Sequence, residues 1–271
     1  MTGMTAHFVT AAAGRAPMVT MLRAVAALAL CCAAGSSVGS ATPPLTVTLN
    51  DGHAMPVVSL GTCCQAPGTL GVVPWVAAGG VGIDTAIGYG SEVGIAAALR
   101  AMHPRPNRSA LFITTKIHAG SGAVAGCAAD PALALKSVHM SLKNLGVDYI
   151  DLVLLHRPCQ QVVQDCLWNR PELRGCAEPF GCNCFGPPAM NGSSATAANA
   201  ALWRGLEQAV AQGLVRSIGV SNYSPAELAA LGGTIVPAVN QCEMSVEGAD
   251  NATLVYCSAH GIHTLPEAAT M

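Results

Sequence analysis

The chain has 271 residues, 51% of them hydrophobic, which is enough to bury one sizeable core or a single barrel of roughly 250 residues. Lysine and arginine number 13 against 15 acidic residues, so there is no broad basic field for nucleic acid and no acidic tail. With 10% of residues charged and glycine and alanine abundant, the composition excludes a largely disordered or coiled-coil chain and points to a small-molecule partner.

The chain opens on a segment with no acidic residue before Asp51. Arg15 and Arg23 precede an apolar run from Ala24 to Ala34, followed by small residues from Gly35 to Ala41. This is the grammar of a signal peptide, and an acid-poor transit peptide shares it. The run is too short to span a bilayer comfortably, so residues 1–41 are expected to be a removable leader rather than a stable membrane anchor. The twelve cysteines favour an oxidising compartment, and five of them, Cys159, Cys166, Cys176, Cys182 and Cys184, fall in one stretch. The expected location is therefore the secretory pathway or outside the cell, with an organelle or the cytoplasm as alternatives. Sequons at Asn107, Asn191, Asn222 and Asn251 add little, because such triplets are common by chance.

Leu45-Thr-Val-Thr-Leu and Met55-Pro-Val-Val-Ser-Leu flank Asn50-Asp51-Gly52, a hairpin signal where the globular part begins. From Gly79 onward, short runs rich in Val, Ile and Leu alternate with helical patterns. The runs are Val81–Asp84, Leu111–Lys116, Tyr149–His156, Arg216–Ser221 and Pro237–Gln241, and they read as buried parallel strands. Asp130-Pro131 starts a helix that Gly146 ends, and Ser224-Pro-Ala-Glu227 is a capping box. The alternation predicts a parallel sheet flanked by helices, and periodicity leaves open whether it closes as a barrel or lies open and doubly wound. Residues 159–202 show no sustained period and read as an inserted loop. Its cysteines fit no zinc-finger spacing, so no metal is expected. Disulfides or free thiols remain, whereas Cys63-Cys64 reads as packing.

Polar residues fall at the carboxyl ends of successive strands: Asp84, Lys116, His156, Ser221 with Asn222, and Gln241. In a parallel barrel that end is the active face. Singly, each reads equally as a structural ion pair or a satisfied rim residue. Together they carry a resemblance. Gly82-Ile-Asp-Thr-Ala-Ile-Gly-Tyr-Gly-Ser-Glu-Val-Gly resembles the aldo-keto reductase signature, and the strands ending in Lys116, His156, Asn222 and Glu243 look like that family's later motifs, in order.

The resemblance implies a (β/α)8 barrel over residues 42–271 with an N-terminal hairpin, incomplete, with about six to seven strands present. It implies NADPH-dependent reduction of aldehydes or ketones. Tyr89 would be the proton donor, since charge developing on the carbonyl oxygen needs an acid as it forms. An ordinary tyrosine is too weak an acid near neutrality, and the ammonium of Lys116 would favour its ionised form. Asp84 would orient Lys116, and His156 would hydrogen-bond the substrate oxygen. Thr62, Asp84, Ser221, Asn222 and Gln241 would hold the cofactor. Where the family continues, this chain reads Ile262-His-Thr-Leu-Pro-Glu-Ala-Ala-Thr-Met271, so Pro266 is expected to divert the seventh strand, the eighth is absent, and cofactor grip is expected to be weak. The alternative to an enzyme is a catalytically impaired barrel that binds a cofactor or partner without turnover.

Overall fold

A computed structural model describes residues 45–63, 69–117, 127–159, 192–244 and 248–267. The predicted leader and most of the cysteine-rich stretch lie outside the described residues.

The hairpin forms as the Asp-Gly turn predicts. β1 (Thr46–Thr48) and β2 (Ala54–Pro56) pair antiparallel, Leu49 and His53 close the loop, and Gly52 takes a φ of +86°, a left-handed conformation that costs glycine little. The run Met55–Leu60 is not one strand. It ends the hairpin just after Pro56, where the Val57 amide donates to the Leu45 carbonyl at 3.0 Å, and resumes as β3 (Ser59–Gly61) in a different sheet.

That second sheet holds seven parallel strands in unbroken chain order: β3, β4 (Gly82–Asp84), β5 (Phe112–Ile117), β6 (Ile150–Leu155), β7 (Val215–Ser221), β8 (Val239–Glu243) and β9 (His263–Glu267). The order answers what periodicity left open. A doubly wound sheet reverses its order at a switch point, whereas right-handed crossovers taken in one direction set every helix on one face, the winding of a barrel. β9 is not diverted at Pro266, which pairs opposite Cys242 in parallel register. β9 is the last strand of the sheet among the described residues, and an edge position tolerates a residue with no N–H.

Among the described residues, six helices follow the strands: α1 (Val72–Ala77), α2 (Glu92–Ala101), α3 (Pro131–Leu145), α4 (Gly192–Ala211), α5 (Pro225–Ala230) and α6 (Asn251–Ala259). The punctuation of α3 is as read. Asp130 accepts the Ala132 amide at 2.9 Å, Pro131 sits in the first turn, and Gly146 caps the end at φ +64°. In α5, Ser224 and Glu227 exchange both bonds of a capping box.

The predicted insertion is corrected at both ends. Cys159 is buried in the core, and α4 begins at Gly192, so Ala195, Ala198, Ala201 and Leu202 are core residues rather than loop. Alanine-rich sequence is the strongest helix former, and the polar residues scattered through 193–199 hid its period. α4 lies close against α3 at Gly205, where an added Cβ would meet the Pro131 carbonyl oxygen at 2.2 Å.

Strand side chains alternate between two cores. Val153 and Leu155 of β6 pack into the cluster that includes Val138, Trp203 and Leu206. Leu152 and Leu154 pack with Phe112, Val239 and the hairpin's Leu49 and Met55. The hairpin is also tied to the barrel strands by Asn50, whose amide donates to the Pro237 carbonyl at 3.0 Å.

Candidate active site

The carboxyl ends of five neighbouring strands, β4 to β8, bring the predicted residues together. β4 ends at Asp84, and a short helical turn over Ile87–Tyr89, closed by Gly90 at φ +67°, delivers Tyr89. Lys116 is the penultimate residue of β5 and is 1% exposed. An ammonium so buried must be compensated. It is ion-paired with Asp84, donates to the Tyr89 hydroxyl at 3.2 Å, and lies 3.4 Å from the Thr85 carbonyl oxygen. The second Asp84 oxygen accepts from Gln241 Nε2 at 2.8 Å. His156 follows β6, its amide bonded to the Ile117 carbonyl at 3.0 Å, and its Nε2 stands 3.4 Å from the Tyr89 hydroxyl with the two rings edge to face. Tyr89 thus has an ammonium on one side and an imidazole on the other.

Ser221 and Gln241 are register partners on β7 and β8. Asn222 takes a φ of +61°, uncommon without glycine, held there by its amide bonding the Gln241 carbonyl at 2.8 Å and its side chain donating to Ser221 Oγ at 3.0 Å. Gln241 Oε1 is buried and has no hydrogen-bond partner among the described residues. A buried acceptor left over beside a cationic site calls for an N–H donor from outside the chain. A carboxamide N–H2 meets that need, so the residues present fit the nicotinamide end of the expected cofactor. Thr62 follows β3 and bonds to the end of its neighbour β4. Its amide and its hydroxyl both donate to the Asp84 carbonyl at 3.0 Å, and its hydroxyl joins Ser91, which reaches on to Thr85. It fixes the end of β4.

Three supporting residues were missed in the sequence. Asn240 brackets Tyr223, accepting from its amide at 3.4 Å and donating to its carbonyl at 2.8 Å. Asn199, from the stretch read as loop, accepts from the Cys159 amide at 2.9 Å and the Tyr223 hydroxyl at 3.4 Å. Burial pushes the Tyr223 phenol well above its ordinary value, with Glu227 adding to the shift, so it stays a donor. Cys159 is also disulfide-bonded to Cys127, with Cα atoms 5.7 Å apart, which links the chain after β5 to the chain after β6. Cys63, read as packing, is disulfide-bonded too. Asn240 lies beside Gln241 within a strand the sequence did offer, whereas Asn199 and the cysteines sit in no strand-end motif, so only the alanine-rich helix pointed to Asn199. Beside the rim lies a cleft of about 320 Å³ lined by residues that include Arg157, Asn222, Tyr223, Cys242, Glu243 and Asp250.

Fold and rim together define a barrel-type α/β protein that gathers a lysine, a tyrosine and a histidine at the carboxyl ends of its strands. A profile of the aldo/keto reductase family matches residues 72–270, and the chain belongs to that family. Similar curated proteins include Protein REDOX 2 of Catharanthus roseus, 32% identical over 228 residues, and rhazimal reductase 2 of Alstonia scholaris, 34% identical over 231 residues. Each alignment takes 80% of this chain and 62% of the relative, so the chain spans about three-fifths of the length of these relatives. Among solved structures, the Bombyx mori aldo-keto reductase in complex with NADP superposes with a TM-score of 0.61 at 28% identity, over 83% of this chain and 66% of that one.

Proposed function

We propose that the protein reduces an aldehyde or ketone to the alcohol, with NADPH as hydride source and Tyr89 as proton donor. The observation that carries this reading is the placement of the Tyr89 hydroxyl 3.2 Å from Lys116 Nζ and 3.4 Å from His156 Nε2. The similar Bombyx mori enzyme, solved with NADP, supports the choice of cofactor. When bound, NADPH supplies the hydride. The chain's own residues do the rest. His156 donates a hydrogen bond to the carbonyl oxygen and orients it toward Tyr89. Tyr89 gives its proton to that oxygen as negative charge develops there. The phenolate left behind is stabilised by the Lys116 ammonium, which Asp84 keeps charged and in place. Gln241, through its unpartnered acceptor, and Ser221 with Asn222 hold the carboxamide and so fix which face of the ring meets the substrate.

The test is NADPH consumption with an aromatic aldehyde, followed for the wild type and for Tyr89→Phe. Loss of the general acid should cost about 10²–10⁴-fold in rate, with cofactor affinity nearly unchanged. A variant with near-wild-type kcat would remove Tyr89 from the role. Passage through an oxidising compartment, with removal of residues 1–41, is part of the same proposal and fits the Cys127–Cys159 disulfide. Mass spectrometry of non-reduced peptides from secreted protein should recover that linkage, and alkylation of both thiols would count against the secretory route.

A further inference from the structure

The rim carries one strong cation that the reduction does not use. Arg157 directly follows His156, is half-buried, and lines the cleft of about 320 Å³ next to Asn222. Among the described residues its guanidinium has neither an ion pair nor a hydrogen bond. Two carboxylates share the cleft without neutralising it. Asp250 spends one oxygen on the Ala252 and Thr253 amides and the other on the Thr253 hydroxyl, capping α6. Glu243 is exposed to water and forms no ion pair with Arg157. A guanidinium cannot shed its charge, and its planar fork matches a planar anion. Half-buried and unpaired, it has lost part of its hydration with nothing from the described chain in return, a loss that an incoming anion would offset.

Resting on the reductase reading of this rim, we propose that Arg157 is the specificity residue of the substrate cleft and binds the carboxylate of an anionic carbonyl compound, an aldehyde or ketone that also carries an acid group. The cleft is at the small end of ligand sites, which selects a compact acid. The nearby carboxylates of Glu243 and Asp250 penalise a dianion more than a monoanion, which favours a carboxylate over a phosphate. No bond forms or breaks at Arg157. It anchors the far end of the substrate, and His156, its neighbour in the chain, meets the carbonyl.

The experiment compares wild type, Arg157→Met and Arg157→Lys in the full chain. Two matched substrates, 4-carboxybenzaldehyde and its methyl ester, give the selectivity ratio in kcat/KM. Calorimetric titration of 4-(hydroxymethyl)benzoate, which is not reduced, gives carboxylate affinity without turnover. In Arg157→Met the acid-over-ester ratio and the carboxylate affinity should both fall about tenfold or more, the loss expected for one charge-assisted contact. Arg157→Lys, which keeps the charge but not the fork, should fall between. An unchanged ratio and affinity in Arg157→Met overturns the proposal. So does a tenfold loss of NADPH affinity with the ratio intact, which would assign the anion to the cofactor's phosphates. If wild type reduces neither aldehyde while the carboxylate affinity depends on Arg157, the anion site stands and the reductase reading fails.

Discussion

Two charge clusters, each centred on a buried carboxylate, sit at opposite ends of the same strands, and they are built from different side chains. At the amino ends, Asp151 is 2% exposed and accepts from Arg108 at 2.6 Å, Arg216 at 3.2 Å and the Ile113 amide at 2.9 Å. Both guanidiniums also stack on the Tyr149 ring, at 4.1 and 4.0 Å from its centroid. At the carboxyl ends, Asp84 holds Lys116, which touches Tyr89, which approaches His156. The lower cluster uses arginines, whose charge never changes, and ties β5, β6 and β7 together. The upper cluster uses a lysine, a tyrosine and a histidine, groups that can exchange protons, and it leaves a buried acceptor on Gln241. Burial of charge alone therefore does not mark the site. A parallel barrel puts stability at its amino face and chemistry at its carboxyl face, and this chain divides its charges the same way.

That division can be broken by single substitutions. The largest effect on stability is expected from Asp151→Ala, which leaves the partly exposed Arg108 and Arg216 guanidiniums stacked on Tyr149 without the carboxylate they share. Removing one partner of a buried ion pair costs about 3–5 kcal/mol, and Arg216 is partly in water, so about 3 kcal/mol is expected in denaturant unfolding. A loss under 1 kcal/mol would mean the lower cluster is only decorative. Next is Gln241→Leu, which removes the donor to Asp84 and the unpartnered acceptor together. NADPH affinity should fall about tenfold by fluorescence titration, the weight of roughly one hydrogen bond. An unchanged affinity would send the carboxamide elsewhere.

The smallest effect sharpens the comparison at β9. Burial lowers the pKa of His263 below the ordinary histidine value. The unfolded chain therefore takes up that proton at a higher pH than the folded one. Stability contributed by the neutral ring is full above the ordinary value and is lost as pH falls through the window beneath it. His263→Gln should flatten the change in unfolding midpoint between pH 7.5 and 5.5, and an identical slope in both proteins would show that the shift carries no weight.

Much of this was legible in the chain. The hairpin turn, the caps of α3 and α5, and the strands ending in Asp84, Lys116, His156, Ser221 and Gln241 all announce themselves locally, through a glycine at a turn or a lone polar residue after an apolar run. What stayed hidden depends on the rest of the fold. Pro266 reads locally as a strand breaker, and only the register of β9 on β8 shows it seated in the last strand among the described residues, where a missing N–H is tolerated. Asn199 reads as loop because its partners, Cys159 and Tyr223, are brought to it only by packing. Cys127 sits far from the cysteine-rich stretch, and only the adjacency of β5 and β6 shows it facing Cys159.

The claim that the two clusters divide labour is tested most directly by measuring kcat with an aromatic aldehyde and the unfolding midpoint side by side in Tyr89→Phe and Asp151→Ala. Tyr89→Phe should lose about 10²–10⁴-fold in kcat with its midpoint held, while Asp151→Ala should unfold earlier yet keep its kcat wherever it remains folded. A Tyr89→Phe protein that turns over normally, or an Asp151→Ala protein that is fully stable but inactive, would contradict the account.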